Sequence, residues 1–417
     1  MEKSGKFRLT SLERNWILYD VGNSAFVLMV ATLIPIFFNA LAAAGGLSSV
    51  EYLAYWGYAS SAVTVITAVL SPILGTVADT KGFKKPIFIL CVFVGIVGCC
   101  AMGAASAWLP FLVIFVIAKV GFSGSLVFYD SMLSDVTTPE RMDEVSSRGY
   151  AWGYIGSCVP FVVCLGLVLG AGSIGISQMT ALNLALLLTA AWWLLTTLPL
   201  LKSYKQLYYV EVEKHAVRQS FARIGHTLRH LPEDKQVFWF LLAFFCYIDG
   251  VYTIIDMATA YGTALGLDTT GLLLALLVTQ IVAFPSALIF GRLSNKYPSA
   301  KLVPVCIAAY AGIAVFAFFL TQQWQFWVLA VIVGMFQGGV QALSRSHFAK
   351  IIPPEKSGEY FGLFDICGKG ASFLGTMIVS VGSQLTGSAN VGVGSLIVLF
   401  IVGFVLFRVS CRQGETA

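Results

Sequence analysis

Ionisable side chains stand inside stretches that are otherwise apolar, and their chemistry needs explaining first. In "FCYIDGVYTIIDM" (245–257), Asp249 and Asp256 are seven residues apart with Tyr252 between them, close to one helical face. No basic residue lies near Asp249 in sequence. Burial penalises the charged form of such a carboxylate, which suits proton pickup and release. Asp256 either shares that role or sits in an outer vestibule. Lys119 either binds an anionic group of a substrate or neutralises an aspartate. Asp365 and Lys369 have i, i+4 spacing and can pair directly; the pair either holds structure or carries a proton. Gln337 and Gln341 are four apart and in register with Arg345, giving a polar stripe beside Gly338 and Gly339, which permit close helix approach. Asp20 and Asn23 open the stretch "NWILYDVGNSAFVLMVATLIPIFF" (15–38), where Asp20 either faces a cavity or favours the positive end of a helix.

The elements that hold these groups are membrane-length helices. Of 417 residues 58% are hydrophobic and 11% charged, against roughly 25% charged in a soluble domain. Twelve apolar runs are long enough to cross a bilayer as helices: 15–43, 51–79, 86–106, 108–135, 148–171, 176–201, 236–264, 270–294, 299–321, 324–350, 358–386 and 392–411. None has the period-two alternation of barrel strands. An ionisable group deep in such a run costs several kcal/mol unless paired or hydrated, which makes each a functional candidate. At about 1.5 Å per residue, Asp249 lies about 18 Å from the inner end of its span, Lys119 about 16 Å from the outer end of the fourth, and Asp20 about 8 Å inside the inner boundary.

The net charge of +5 does not point to nucleic acid, because of where the cations sit. Lys and Arg precede the first run, fall after the even-numbered runs and close the twelfth; the loops after odd-numbered runs hold none. Positive charge stays on the cytoplasmic side during insertion, so both termini are expected there. Seven of these cations occupy 202–235, where Val217, Phe221, Ile224, Leu228 and Leu231 follow helical spacing. That segment is either an amphipathic helix on the inner membrane surface or a solvated linker.

The segment divides the chain into 1–201, 202–235 and 236–417, and the outer parts resemble each other. "GTVADTKGFKK" (75–85) and "GRLSNKYPSAK" (291–301) match Gly75 with Gly291 and Asp79 with Asn295 at an offset of 216. "TPERMDE" (138–144) and "PPEKSGE" (353–359) match at 215. Parallel six-helix repeats about a midplane site describe an all-α polytopic membrane protein of the major facilitator fold, twelve transmembrane helices in two pseudo-symmetric bundles. Applying the 215 offset, Asp130 corresponds to Arg345 and Asp135 to Lys350. Residues equivalent across a pseudo-two-fold can meet at its axis, so either pair could close a cytoplasmic gate; the plainer reading binds each within its own half.

"NWILYDVGNSAF" (15–26), "VSSRGYAWGYIG" (145–156), "YIDGVYTI" (247–254), "GGVQALSRSHFAKIIP" (338–353) and "EYFGLFDICGKGASFLG" (359–375) together resemble the autophagy-related vacuolar amino-acid effluxer family, and its bacterial branch more closely. The resemblance implies a twelve-helix transporter and gives the loop residues Asp79, Lys84 and Lys85 a gating role. Phe83 intervenes before that lysine pair, and Asn295 replaces the acid in the second copy, which puts symmetric gating in doubt.

The expected function is secondary transport of a small polar solute, an amino acid or similar zwitterion, by alternating access with proton coupling open. A zwitterion would suit Lys119 together with Asp249. A drug or lipid exporter of the same fold, kept open by the aromatics Phe128, Tyr129 and Tyr252, and a non-transporting receptor or scaffold stay as alternatives. No enzyme constellation, cofactor or GxxxxGK[ST] loop for ATP is found. The nine cysteines lack metal-ligand spacing and read as packing residues, and His347 as structural. "ALAAAGG" (40–46) follows too long an apolar stretch for a signal peptide. The expected setting is the cell (inner or plasma) membrane, the expected state a monomer, with a small-molecule substrate, possible proton partners, lipid around it and no nucleic acid.

Overall fold

A computed structural model of the chain describes residues 7–211, 225–227 and 229–415, except for the side chains of 49, 50, 53, 259, 260, 263, 264, 269, 270, 273, 369–373 and 415. Its helices are α1 (Ser11–Ala31), α2 (Leu33–Ala44), α3 (Ser49–Ala78), α4 (Lys84–Ala104), α5 (Trp108–Ser131), α6 (Leu133–Val136), α7 (Met142–Leu169) and α8 (Gln178–Ser203). After the linker come α9 (Lys235–Ala264), α10 (Thr269–Leu293), α11 (Ser299–Phe318), α12 (Gln323–Ile351), α13 (Ser357–Thr386), α14 (Ala389–Gly394) and α15 (Ile397–Glu415). Among the described residues, eleven helical stretches are long and apolar enough to cross a membrane; α1 and α2 form one of them, Ser11–Ala44, and α13 is not among the eleven. The amphipathic helix expected on Val217, Phe221, Ile224 and Leu228 lies outside the described residues.

Local sequence accounts for the ends. Thr10 and Ser48 accept from the amides of Glu13 and Glu51, and each glutamate returns a bond to the cap, so α1 and α3 start on reciprocal caps. The first run, expected as continuous, breaks at Thr32 (φ −131°, ψ −76°). Pro35 has no amide to give Ala31 O, four residues back; the Thr32 amide turns to Met29 O at 3.3 Å, and the Thr32 hydroxyl donates to Leu28 O at 2.5 Å.

Two sets of helices result. In the first, α1 packs on α7 and α8, and α4 on α5 and α8; in the second, α9 packs on α13 and α15, and α10 and α11 on α12. The sets join along α3–α13 and α7–α10, with α12 against α7 and α13 against α5. Glycine permits the first seam. A Cβ on Gly358 would stand 2.6 Å from Gly75 O, and one on Gly362 2.6 Å from Pro72 Cα, so any side chain at either position would push the helices apart. The start of α1, the end of α15 and the cation-rich loops share one end of the molecule: Arg141 donates to Arg8 O at 2.8 Å, Lys350 pairs with Asp143 at 2.6 Å, His347 packs on Phe407, and Ser410 donates to Gln236 O at 2.7 Å. We call it the basic end.

Candidate functional site

Arg345, on α12, reaches into the first set of helices. Its Nη1 stands 2.9 Å from Asp130 Oδ1 on α5 and 3.9 Å from Asp20 Oδ2 on α1. On α7, Nε donates to Ser146 Oγ at 2.9 Å and Nη2 to Ser146 O at 3.0 Å. The guanidinium lies 4.7 Å from the Trp16 ring centroid and 4.3 Å from that of Tyr150. The side chain is 2% exposed. A buried cation needs pairing and saturated donors, and the planar fork of arginine supplies several donors at once. Gly149 leaves the room: a Cβ there would come within 3.0 Å of Asp20 Oδ2 and 3.2 Å of Arg345 Nη2.

Further ties surround this centre. Ser146 Oγ donates to Ala342 O at 2.8 Å, and Tyr154 OH to Gln341 Oε1 at 2.7 Å. Asp143 takes Lys350 Nζ at 2.6 Å and Ser346 Oγ at 2.6 Å. Asp135 and Lys350, the second pair considered from the repeat offset, therefore do not meet. Asp135 is held inside the first half by Tyr204 OH at 2.5 Å, the amides of Leu207 and Tyr208 at 3.0 and 2.9 Å, and Lys84 at 3.4 Å. The segment after α8 folds back over the end of α6 and occupies that carboxylate. It also takes Lys85, whose Nζ donates to Tyr204 O at 3.4 Å.

At the α3–α13 seam, Asp79 Oδ1 accepts from Gly358 N at 2.7 Å and Oδ2 from Glu359 N at 2.8 Å. These are open amides in the first turn of α13, the positive end of its dipole. Lys84 Nζ stands 3.8 Å from Asp79 and donates to Ser357 Oγ at 2.8 Å. Burial pushes the Asp79 carboxyl up to about 7, against the pull of Lys84 and the two amides. At the α7–α10 seam the roles are reversed. Asn295 Nδ2 donates to Glu144 Oε2 at 2.9 Å, and Glu144 also binds Arg148 at 2.6 Å. Glu144 and Glu359 are themselves related by the offset of 215 residues. An acid bound to amides in one seam corresponds to an amide bound to an acid in the other.

The groups deeper in the membrane-spanning helices separate. Asp365 accepts from Ser71 Oγ at 2.7 Å across the two halves; the expected Asp365–Lys369 pair lies outside the described side chains. Asp249 does not join Lys119. It is fully buried between α9 and α13, where Oδ1 takes Gly375 N at 2.9 Å and Thr253 Oγ1 at 3.3 Å, and Oδ2 has no hydrogen-bond partner among the described residues. Seven residues turn a helix by 700°, 20° short of two turns, so a shared face is permitted by the spacing; neighbouring helices nevertheless divide the two aspartates between different surroundings. Asp256, not Asp249, is the aspartate that feels the charge of Lys119 from the opposite half, and Lys119 Nζ lies 4.8 Å above the Phe122 ring. Tyr252 is within electrostatic reach of Asp130, Asp365, Asp256 and Arg345. Asn23 is buried one turn beyond Asp20. Gln337 borders a mostly apolar cavity within the second half, walled by Ile254, Met257, Phe326 and Leu329.

Sequence reasoning missed Ser146, Asp143, Tyr154 and Ser357. Two serines, a tyrosine and an acid beside a polar loop are too common to stand out, and their partners lie 187 to 273 residues away.

The profile of the family described as "Vacuole effluxer Atg22 like" matches residues 11–142 and 134–416. An uncharacterized MFS-type transporter of Bacillus subtilis (strain 168), YxiO, is 42% identical over 98% of this chain and 97% of its own length. Autophagy-related protein 22 of Coccidioides immitis (strain RS) is 25% identical over 65% of this chain, which is 51% of that protein. Among solved structures, the human organic anion transporter MFSD10 (TETRAN) superposes with a TM-score of 0.73 at 14% identity, covering 95% of this chain and 98% of that one. The major facilitator transporter FucP in its outward conformation gives 0.71 at 16%, covering 96% and 97%. These likenesses show the fold, and with the family match they establish that the chain belongs to the vacuole effluxer Atg22-like family of major facilitator transporters.

Proposed function

We propose that the protein is a secondary transporter moving a small polar solute, an amino acid or similar zwitterion, by alternating access. The observation that carries this reading is the Arg345–Asp130 contact and the ties around it. They seal the two halves next to the basic end, while Lys119 and Asp256 offer opposite charges from opposite halves deeper in the molecule. Alternating access needs one sealed end and a binding region shared by both halves. In this reading α13 is the twelfth span, 1–201 and 236–417 are the two bundles joined by 202–235, and the basic end with both termini is cytoplasmic. The protein acts as a monomer in the cell membrane. Asp79, Lys84 and Arg345 belong to the cytoplasmic seal, with Asp130, Asp20 and Lys350. The effluxer description of the family makes export the direction to test first.

Protons couple to transport through Asp249, which takes the neutral donors Gly375 N and Thr253 Oγ1, or through Asp365, which accepts from Ser71 across the two halves. A second reading, export of an amphipathic drug or lipid, has the apolar cavity beside Gln337 in its favour.

Proteoliposomes given labelled amino acids, dipeptides and an amphipathic dye under an imposed proton gradient test both readings. The expected result is accumulation of one zwitterion class. Asp249→Asn should cut gradient-driven accumulation roughly tenfold or more while leaving solute exchange at equal pH. Accumulation of the dye alone would select the second reading, and no movement of any solute would sink transport.

A further inference from the structure

A concave pocket opens at the basic end, where the loop after α3, the start of α4 and the segment after α8 meet. Lys81, Lys85 and Lys205 line it together with Tyr204, Tyr209 and Ile89, and none of the lining residues among the described ones is acidic. Backbone and side-chain bonds build its floor: Gly82 N donates to Gln206 Oε1 at 3.0 Å, Gln206 Nε2 to Ala78 O at 3.1 Å, and Val210 N to Asp79 O at 2.8 Å. Gly82, at φ +80°, makes the turn a side chain would oppose. Lys81 stands 4.8 Å above the Tyr209 ring and 3.6 Å from Glu211 at the rim, an exposed pair that water screens.

Two further features say what would fill the pocket. α4 begins here with Lys84 and Lys85, has no acid in its first turn and receives no side-chain cap from Phe83, so its dipole adds positive potential. From the pocket wall, Ile89, Phe93 and Val97 run along one face of α4, 39%, 62% and 45% exposed. An anion site that continues into an apolar track along a membrane helix matches a headgroup with its acyl chain.

We propose that this pocket binds the phosphate group of an anionic phospholipid of the inner leaflet. The lysines take the phosphate, Tyr209 closes over it, and the chain lies along Ile89, Phe93 and Val97. The pocket shares its floor with Asp79 and is next to Lys84, so an occupied site braces the α3–α13 seam. The assignment of leaflet rests on the orientation given under Proposed function; the binding itself does not.

The test is native mass spectrometry of the full chain in neutral detergent with equal parts of phosphatidylglycerol and phosphatidylcholine, a readout that needs no transport. Wild-type protein should retain phosphatidylglycerol preferentially. The Lys81→Gln/Lys205→Gln double variant should retain it roughly 10- to 30-fold less, as expected for two lysines at an anionic surface. Lys301→Gln, a single-charge control at the same end, should match wild type. If the double variant loses thermal stability, Lys205→Gln alone is scored, with roughly fivefold expected. Equal retention by wild type and variants, or an equal loss in the control, would overturn the site. Displacement by millimolar inorganic phosphate would reassign it to a soluble anion and overturn the lipid. Transport without phosphatidylglycerol retention would sink this inference alone, and retention without transport would sink only the transport reading.

Discussion

Arg345 and Asp130 meet at 2.9 Å and are 215 residues apart, the same interval that relates the loops of the two repeats. The residue therefore touches the position that the sequence offset matches to it, across the two sets of helices. Identical copies would set like charges against each other here, so a pair of opposite sign requires the two halves to differ at this position.

Arg345→Lys should abolish most of the benefit of this contact, because an ammonium cannot reach Asp130, Ser146 Oγ and Ser146 O as a planar fork does. Arg345→Ala should cost about 3–5 kcal/mol, since Asp20 and Asp130 would be left buried without their cation. Thermal midpoints and transport rates check both. Asp130→Asn added to Arg345→Ala should recover part of the stability and none of the transport.

Gly75→Ala should prevent the α3–α13 seam from closing, because the new methyl meets the backbone of Gly358. A cysteine at Ser147, buried in the other seam, reports the state of this end. Its maleimide labelling should rise roughly tenfold or more in the Gly75→Ala background, an energy of about 1.4 kcal/mol or above. Unchanged labelling would mean that the seams do not open together.

Asn295→Asp would make the two repeats more alike and should weaken the protein. It replaces a hydrogen-bond donor to Glu144 at 2.9 Å with a second carboxylate. Like charges at that distance and a lost bond together predict a cost of about 1–2 kcal/mol. Lowering the pH to protonate one of the two acids should restore the thermal midpoint; a variant as stable as wild type at neutral pH would remove the argument.

The buried carboxyl of Asp79 stands at about 7, and opening the basic end to water would return it toward about 4, the ordinary aspartate value. Closure thus takes up a proton. The closed state is favoured most below about pH 4 and loses that advantage as pH rises through about 7. Between pH 5.5 and 8 the open-to-closed ratio should increase roughly 30-fold by this linkage. Labelling at Ser147→Cys, normalised to the unfolded protein at each pH, measures it, and Asp79→Asn should flatten the response.

Much of the fold was legible because hydropathy sums over a local window and charge is sorted by the membrane. Both operate on neighbours in sequence, so 15–43 or 236–264 reads as a span without knowledge of any other. The repeat offset added one long-range relation, and it brought Asp130 to Arg345. It also proposed Asp135 with Lys350, where the linker residues Tyr204, Leu207 and Tyr208 had already taken the carboxylate. Nothing local to Asp135 announces that competition.

Residue order alone was enough for the class of protein and for eleven membrane-length helical stretches among the described residues. Which carboxylates share a surrounding was settled only by packing. A helix advances 100° per residue, so a small rotation against its neighbours chooses whether Asp249 faces Gly375 inside one half or Lys119 across the divide. That rotation depends on glycines and side chains contributed by distant helices, and no window of sequence contains them.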